Sequence, residues 1–408
     1  MACILSPITT GIDWRKSKMT DSLQLYGTLL TAFCKYIPSH IFGDVRRLMV
    51  LAWAVVGLCL TKSVNFNLWG EVVIGQAQYA SSHQRRFQRL LKNKRVKSVK
   101  YYAPLLRAAI RNWSWEQTLY LALDVSILPK GYILIRLALI YRGRAIPVTW
   151  RVMKHNSATV SYKDYKVVLK QALLILPKGQ SVILLADRGF VHAKLVKFCR
   201  QHQWGYRLRA KSSPLIRLPD RRVASFARLC PSKGHAHFYQ GVHILGENIG
   251  PVNIALANPE DDDEPWYIIS NDPTNLTTLD EYALRFDIEE GFLDDKSGGF
   301  QVESSKLDDA QAIARLFLVL AIAALHFTSV GVAVVKRKAR RWVDTHWDRC
   351  MSYLKIGWQW LRQQFRKNWP VLPPFELDPE VDPEPTIASR RQAAQPKRQW
   401  IVSCFGAP

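Results

Sequence analysis

The residues with the most chemistry to offer lie between Tyr282 and Lys296, in the stretch YALRFDIEEGFLDDK. At about 100° of turn per residue in an α-helix, Tyr282, Arg285, Glu289 and Lys296 share an arc of about 60°. One stripe then carries a phenol, two cations and a carboxylate. A carboxylate can hold a divalent cation, and the phenol and cations can hold phosphate oxygens. The stripe suits a metal-dependent reaction on a phosphodiester, provided that further carboxylates reach it. Without them, it is equally the pattern of a solvated helix face with scattered ion pairs.

Two aspartates are placed to supply the missing charge. Asp124 ends or interrupts the apolar run TLYLALDVS, and Asp187 ends the run SVILLADRGF. Asp187 is the stronger signal, because Arg188-Gly189 directly after the run marks a tight turn that exposes the acid. Glu290, Asp294 and Asp295 compete with Glu289, but they lie outside the stripe or at its margin. Three converging carboxylates would be costly without compensation and so call for one or two Mg²⁺ (or Mn²⁺) ions. Two such ions, about 3.5–4 Å apart, activate an attacking oxygen and stabilise a leaving one.

The elements that must position these acids read as follows. Residues 117–154 form three strands joined by hairpins, with turn signals at Pro129–Gly131 and at Gly143. Tyr162 to Leu176 is a helix that Pro177-Lys-Gly ends. The run ending at Asp187 is a fourth strand, apolar on both faces and therefore buried. A helix over His192 to His202 leads to a fifth strand, WGYRLRAK, whose alternation puts Arg207, Arg209 and Lys211 on one face. Three antiparallel strands followed by strand–helix units is the order of a ribonuclease H-like α/β core. In that sheet the first and fourth strands are neighbours, so Asp124 and Asp187 can meet, with Glu289 brought in by a helix packed beside them.

The division expected is a helical DNA-binding domain at 1–110 and the first part of the catalytic core at 111–212. A β-rich insertion at 213–265 and the second part of the core at 266–335 follow. A basic, Trp-rich helix at 336–369 and a Pro-rich disordered tail at 370–408 complete it. WYIISN at 266–271 reads as a strand, and Thr277 or Thr278 as the N-cap of the helix that carries the stripe. The acidic run Glu260–Glu264 reads as a solvated turn.

With 57 Lys and Arg against 33 Asp and Glu, the net charge is +24. That excess argues for a polyanionic partner, nucleic acid before an anionic membrane. The basic amphipathic stretch at 81–100 fits this, with Arg85, Arg86, Arg89 and Lys92 around an apolar seam of Phe87, Leu90 and Leu91. Residues 316–335 carry no charge and are long enough to span a bilayer. With no partner span, they are expected as a helix buried against the sheet, and no membrane is expected as a partner. Seven cysteines without a CxxC pair read as reduced thiols of a cytosolic protein. The first residues lack the basic and apolar regions of a signal peptide.

The spacing Tyr282-x2-Arg285-x3-Glu289-x6-Lys296 resembles the Tyr-Arg-Glu-Lys signature of bacterial insertion-sequence DDE transposases. LALDVS with Asp124, LLADRGF with Asp187, and Glu289 resemble that family's catalytic triad. The resemblance covers roughly residues 80–335 and includes the β insertion between the second Asp and the Glu. Val125-Ser126 departs from it, since the family more often has a Thr near the first Asp. The resemblance implies a DNA transposase that frees a 3′-OH at transposon ends, forms and reopens a DNA hairpin, and joins the 3′-OH to target DNA. It implies that Arg285 and Lys296 contact DNA near the cut and that Tyr282 bonds a phosphate. It also implies that Trp266 stacks on a flipped base. The remaining DNA contacts expected are Arg188, Arg207, Arg209, Lys211 and the four cations at 85–92. Implied partners are double-stranded DNA, as terminal inverted repeats and target, and a second copy in a synaptic homodimer. The implied setting is the bacterial cytoplasm, at the nucleoid. The alternative reading is a catalytically inactive DNA-binding relative.

Overall fold

A computed structural model describes residues 21–74, 79–155, 157–260, 264–296, 299–367, 369, 372, 374–386 and 400–405. The chain begins with six helices: α1 (Asp21–Tyr36), α2 (Ser39–Phe42), α3 (Val45–Thr61), α4 (Phe66–Val72), α5 (Ala80–Lys92) and α6 (Ser98–Ala109). Next come β1 (Leu119–Leu128), β2 (Tyr132–Tyr141), β3 (Arg144–Lys154), α7 (Tyr162–Ile175), β4 (Val182–Ala186), α8 (Ala193–Gln201) and β5 (Gly205–Arg209). Then follow β6 (Leu215–Arg217), β7 (Val223–Ser225), β8 (His235–Ile244), β9 (Ile249–Asn258) and β10 (Trp266–Ser270). The last elements are α9 (Leu276–Ala283), α10 (Asp287–Asp295), α11 (Ala310–Lys336), α12 (Tyr353–Lys367) and β11 (Ile401–Phe405).

The architecture is mixed α/β around one large mixed sheet. Its strand order is β3-β2-β1-β4-β5-β10-β9-β8-β6-β7, with β11 added beside β8. β1, β2 and β3 are antiparallel, while β4 lies parallel to β1 and β5 parallel to β4. The first and fourth strands are thus neighbours, as the ribonuclease H-like reading requires. Alternation along β3 separates the two faces of the sheet. Trp150 donates to the Ala314 carbonyl of α11, whereas Thr149 bonds Gln171 of α7 and Arg151 pairs with Asp164 of α7. Helix α7 therefore covers one face, and α11 lies on the other.

The insertion at 213–265 joins the central sheet: its strand β9 pairs with β10, which pairs with β5. Backbone groups along the outer edge of β10 are thereby matched inside the core. Two sequence expectations change here. The single helix expected at 336–369 is shorter: a 3₁₀ turn covers Arg340–Trp342 and α12 starts only at Tyr353. Part of the tail expected to be disordered is packed. Leu372, Phe375 and Leu377 are buried, and the Leu377 amide donates to the Ala109 carbonyl. Apolar residues between the prolines are what allow that packing, and residues 387–399 and 406–408 lie outside the described set.

Among the described residues α11 is long and apolar enough to cross a bilayer. In this fold it is buried, packed on α3, α5, α6, α12 and β3. It crosses α12 where Gly331 meets the Tyr353 carbonyl and Gly357 meets the Phe327 carbonyl, and any Cβ at either glycine would collide with that backbone. One apolar cluster runs from α1 and α3 through the sheet to α11, α12 and Phe375, with no gap near residue 110.

Candidate active site

The parallel ladder between β1 and β4 ends at the pair Leu123–Ala186. Asp124 comes next in β1 and Asp187 directly follows β4, so the two acids leave the end of this ladder side by side. Beyond Asp187 the chain turns at once into a 3₁₀ turn over Arg188–Phe190. The turn signal in ADRGF is realised there.

The third acid arrives on a segment laid across the same face. Asn275 caps α9 and forms a capping box with Thr278, so the cap falls two residues earlier than Thr277. The segment does not run as one α-helix. A 3₁₀ turn over Leu284–Phe286 links α9 to α10 with helical backbone angles at both joints. Helix α10 ends at Asp295, so Lys296 falls beyond it and leaves the stripe. Its amine lies 3.8 Å from Glu303. Tyr282, Arg285 and Glu289 keep their common side.

Arg285 joins the acids. Its guanidinium is buried, donating to Asp124 at 3.1 Å and to Glu289 at 2.9 Å. Asp124 also accepts from the Val125 amide at 2.7 Å. Burial pushes the Asp124 carboxyl up to about 6, Arg285 and the Val125 amide pull it back down, and the charges of Asp187 and Glu289 add to the rise. Burial works against the charge on Arg285, but Tyr282, Asp124, Asp187 and Glu289 outweigh it and raise its pKa. Glu289 stays open to solvent, with 56% of its side chain exposed.

Three buried polar atoms in this pocket lack a hydrogen-bond partner: Asp187 Oδ1, Tyr282 OH and Arg285 Nε. Such atoms cost free energy unless something polar fills them. An unmatched carboxylate oxygen beside two more carboxylates is a donor set suited to a hard divalent cation. Arg285, however, now takes the cation's role between Asp124 and Glu289. Consistent with that, no group of three or more His, Cys, Asp or Glu among the described residues is arranged to hold a metal.

Several expected DNA contacts are placed differently. Tyr282 is fully buried, edge-on to Trp266 at 5.5 Å, and burial pushes its phenol up to about 12. Trp266 is itself buried, packed with Phe238, Ile268 and Leu279. It is a core residue in this state, because β9 and β5 flank its strand and α9 covers it. Arg207 and Arg209 do share a face, but a covered one. Arg207 pairs with Glu281 at 2.6 Å and Asp272 at 2.9 Å, and Arg209 with Glu264 at 2.9 Å. Both are spent on internal pairs. Arg188 reaches the same Glu264 at 2.6 Å, so that member of the acidic run is an ion-pair partner. Lys211 is exposed beyond β5.

On α5, Phe87, Leu90 and Leu91 face the core. Arg85, Arg89 and Lys92 are exposed, and Arg86 is half-buried. The basic outer face read from the sequence is therefore present.

Some residues that set the site escaped the sequence reading. Arg136 faces Asp124 across β1 and β2 and forms a buried ion pair with Asp295. Arg144 of β3 reaches Glu290 at 3.1 Å and Asp294 at 3.3 Å. Tyr120 donates to Glu281 at 3.0 Å. The one signal available was a lone arginine inside the apolar strand YILIRLALIY, since a buried charge requires a partner.

No family model matches this chain. No curated protein matches it either. Among solved structures it is similar to a piggyBac transposase synaptic complex with hairpin DNA, with a TM-score of 0.41 and 10% identity over 93% of this chain and 90% of that chain. A likeness of that size leaves fold and activity to be argued from the chain itself.

Proposed function

We propose that this protein is a DDE-type DNA transposase that cleaves and rejoins phosphodiesters at Asp124, Asp187 and Glu289. One observation carries the reading: Asp124 of β1, beside Asp187 directly after β4, is joined through Arg285 to Glu289 on the segment crossing the same face. The order of strands, the four-residue signature and the net charge of +24 support it. A bound Mg²⁺ or Mn²⁺ would supply the Lewis acidity that activates the attacking oxygen and stabilises the leaving one. Asp124 and Asp187, fixed to the sheet, would hold it from one side. Glu289, more exposed, would hold it from the other and is free to adjust as DNA arrives. Exposed cations on α5, together with Lys211, would track the phosphate backbone. Hairpin formation at transposon ends, a synaptic homodimer and a bacterial insertion-sequence origin belong to the same proposal and rest on the signature alone.

Cleavage of DNA taken from either side of the gene, where terminal inverted repeats are expected, tests this. The wild type should cut only with Mg²⁺ or Mn²⁺. Asp124→Asn, Asp187→Asn and Glu289→Gln should each abolish cutting while binding the same DNA. A wild-type rate in any of the three removes that acid from the site. Metal-independent binding without cutting by the wild type would favour the inactive DNA-binding relative.

A further inference from the structure

We infer that Arg285 is a built-in counter-cation, which clasps Asp124 and Glu289 and competes with a divalent ion for their oxygens. The inference rests on the acids being the metal ligands proposed above. Three observations point to it. Among the described residues, Arg285 is the one side chain that hydrogen-bonds two of the three acids, at 3.1 and 2.9 Å. Asp187, the acid it does not bond, keeps an unpartnered buried oxygen. Its guanidinium also packs 4.8 Å from the Phe286 ring, one residue along the same 3₁₀ turn.

A guanidinium and a metal ion compete for the two oxygens that Arg285 holds, Asp124 Oδ2 and Glu289 Oε1, and their like charges repel. Entry of an ion at those oxygens would therefore be an exchange. The guanidinium so loosened would be a donor for an anion. The clasp also keeps the more buried Asp124 from standing unpaired, which would be costly. Arg285 is on this account a positioning residue with two states, and cation affinity is set partly by how firmly it holds the acids.

Calorimetric titration of the full chain with Mn²⁺, in the absence of DNA, tests the exchange. Removing the competitor in Arg285→Gln should tighten Mn²⁺ binding by about tenfold, equivalent to about 1.4 kcal/mol. Arg285→Lys, which keeps the charge but cannot bridge two carboxylates in one plane, should fall between. If Arg285→Gln fails to fold, the Lys variant alone decides, and affinity equal to or weaker than wild type overturns the clasp. Equal or weaker Mn²⁺ binding by a folded Arg285→Gln overturns it likewise. If the wild type and both variants bind no Mn²⁺ at all, the metal reading of the acids fails, and the clasp falls with it.

Discussion

The segment from Leu284 to Asp295 is tied to the sheet at both ends by arginine–carboxylate pairs, and the two ends differ in what they leave unmatched. At the α10 end, Asp295 meets Arg136, while Asp294 and Glu290 meet Arg144. Every one of these carboxylates has a guanidinium in contact. Arg136 also stacks on Phe292 at 4.8 Å and Phe317 at 5.7 Å, which seals that end with apolar rings. At the 3₁₀-turn end, the one guanidinium of Arg285 serves Asp124 and Glu289, and it makes no hydrogen bond to Asp187. The same pairing chemistry makes a lock at one end and an unfinished site at the other. An acid placed for structure is matched in full, whereas an acid placed for binding keeps lone pairs for something else.

The widest separation between the ends should come from Asp295→Ala. It strands Arg136 in the core and should cost about 3–5 kcal/mol in chemical denaturation. The double variant Arg136→Met/Asp295→Leu should recover most of that loss, because the cost lies in an unpaired buried charge. A single variant that loses less than about 1 kcal/mol would break the contrast by making the lock end as tolerant as a surface pair.

Asp124→Asn, in metal-free buffer, should move stability the other way. The folded carboxyl is pushed up to about 6 from an ordinary value of 3.8. Between those two values the unfolded chain ionises first, so stability falls as pH rises through that window, and the full cost is present above pH 6. Asparagine removes that cost. The variant should therefore be more stable than wild type by about 1–3 kcal/mol at pH 8, with the gain vanishing near pH 4. Denaturation curves at the two pH values check both the sign and the window. A loss of stability at pH 8 would mean that Asp124 is matched as fully as Asp295.

The smallest effect belongs to the rim of the lock. Glu290 is half exposed and pairs with Arg144, which keeps Asp294 as a second partner. Glu290→Ala should cost under about 1 kcal/mol by thermal denaturation. A larger loss would extend the lock to the surface and sharpen the boundary between the two ends.

How much of this was readable beforehand varies by element. The strands bearing Asp124 and Asp187 were legible because each is a short apolar run ended by a polar residue and a turn signal. Their adjacency followed from strand order, and the ladder between β1 and β4 has it. The stripe was legible for Tyr282, Arg285 and Glu289, whose spacing survives the 3₁₀ turn. It failed for Lys296, because wheel geometry assumes a helix that in fact stops at Asp295. Charge was the weakest guide. Arg207 and Arg209 alternate in sequence as exposed cations do, yet β10 and α9 cover them and acids from three other stretches meet them. Nothing local to Trp266 reveals whether a strand start is covered, and its burial came only with the tertiary structure.

Local pattern alone determined the order of strands and helices, the ends of the two aspartate strands, the basic outer face of α5 and the net positive charge. These follow from periodicity and turn chemistry, which act within a few residues. Tertiary structure alone decided which arginines are spent inside, that the insertion lengthens the central sheet, and that Arg285 rather than a distant group stands between the acids. Such outcomes depend on pairing between segments far apart in the chain, where burial makes every unmatched charge costly and so selects its partner.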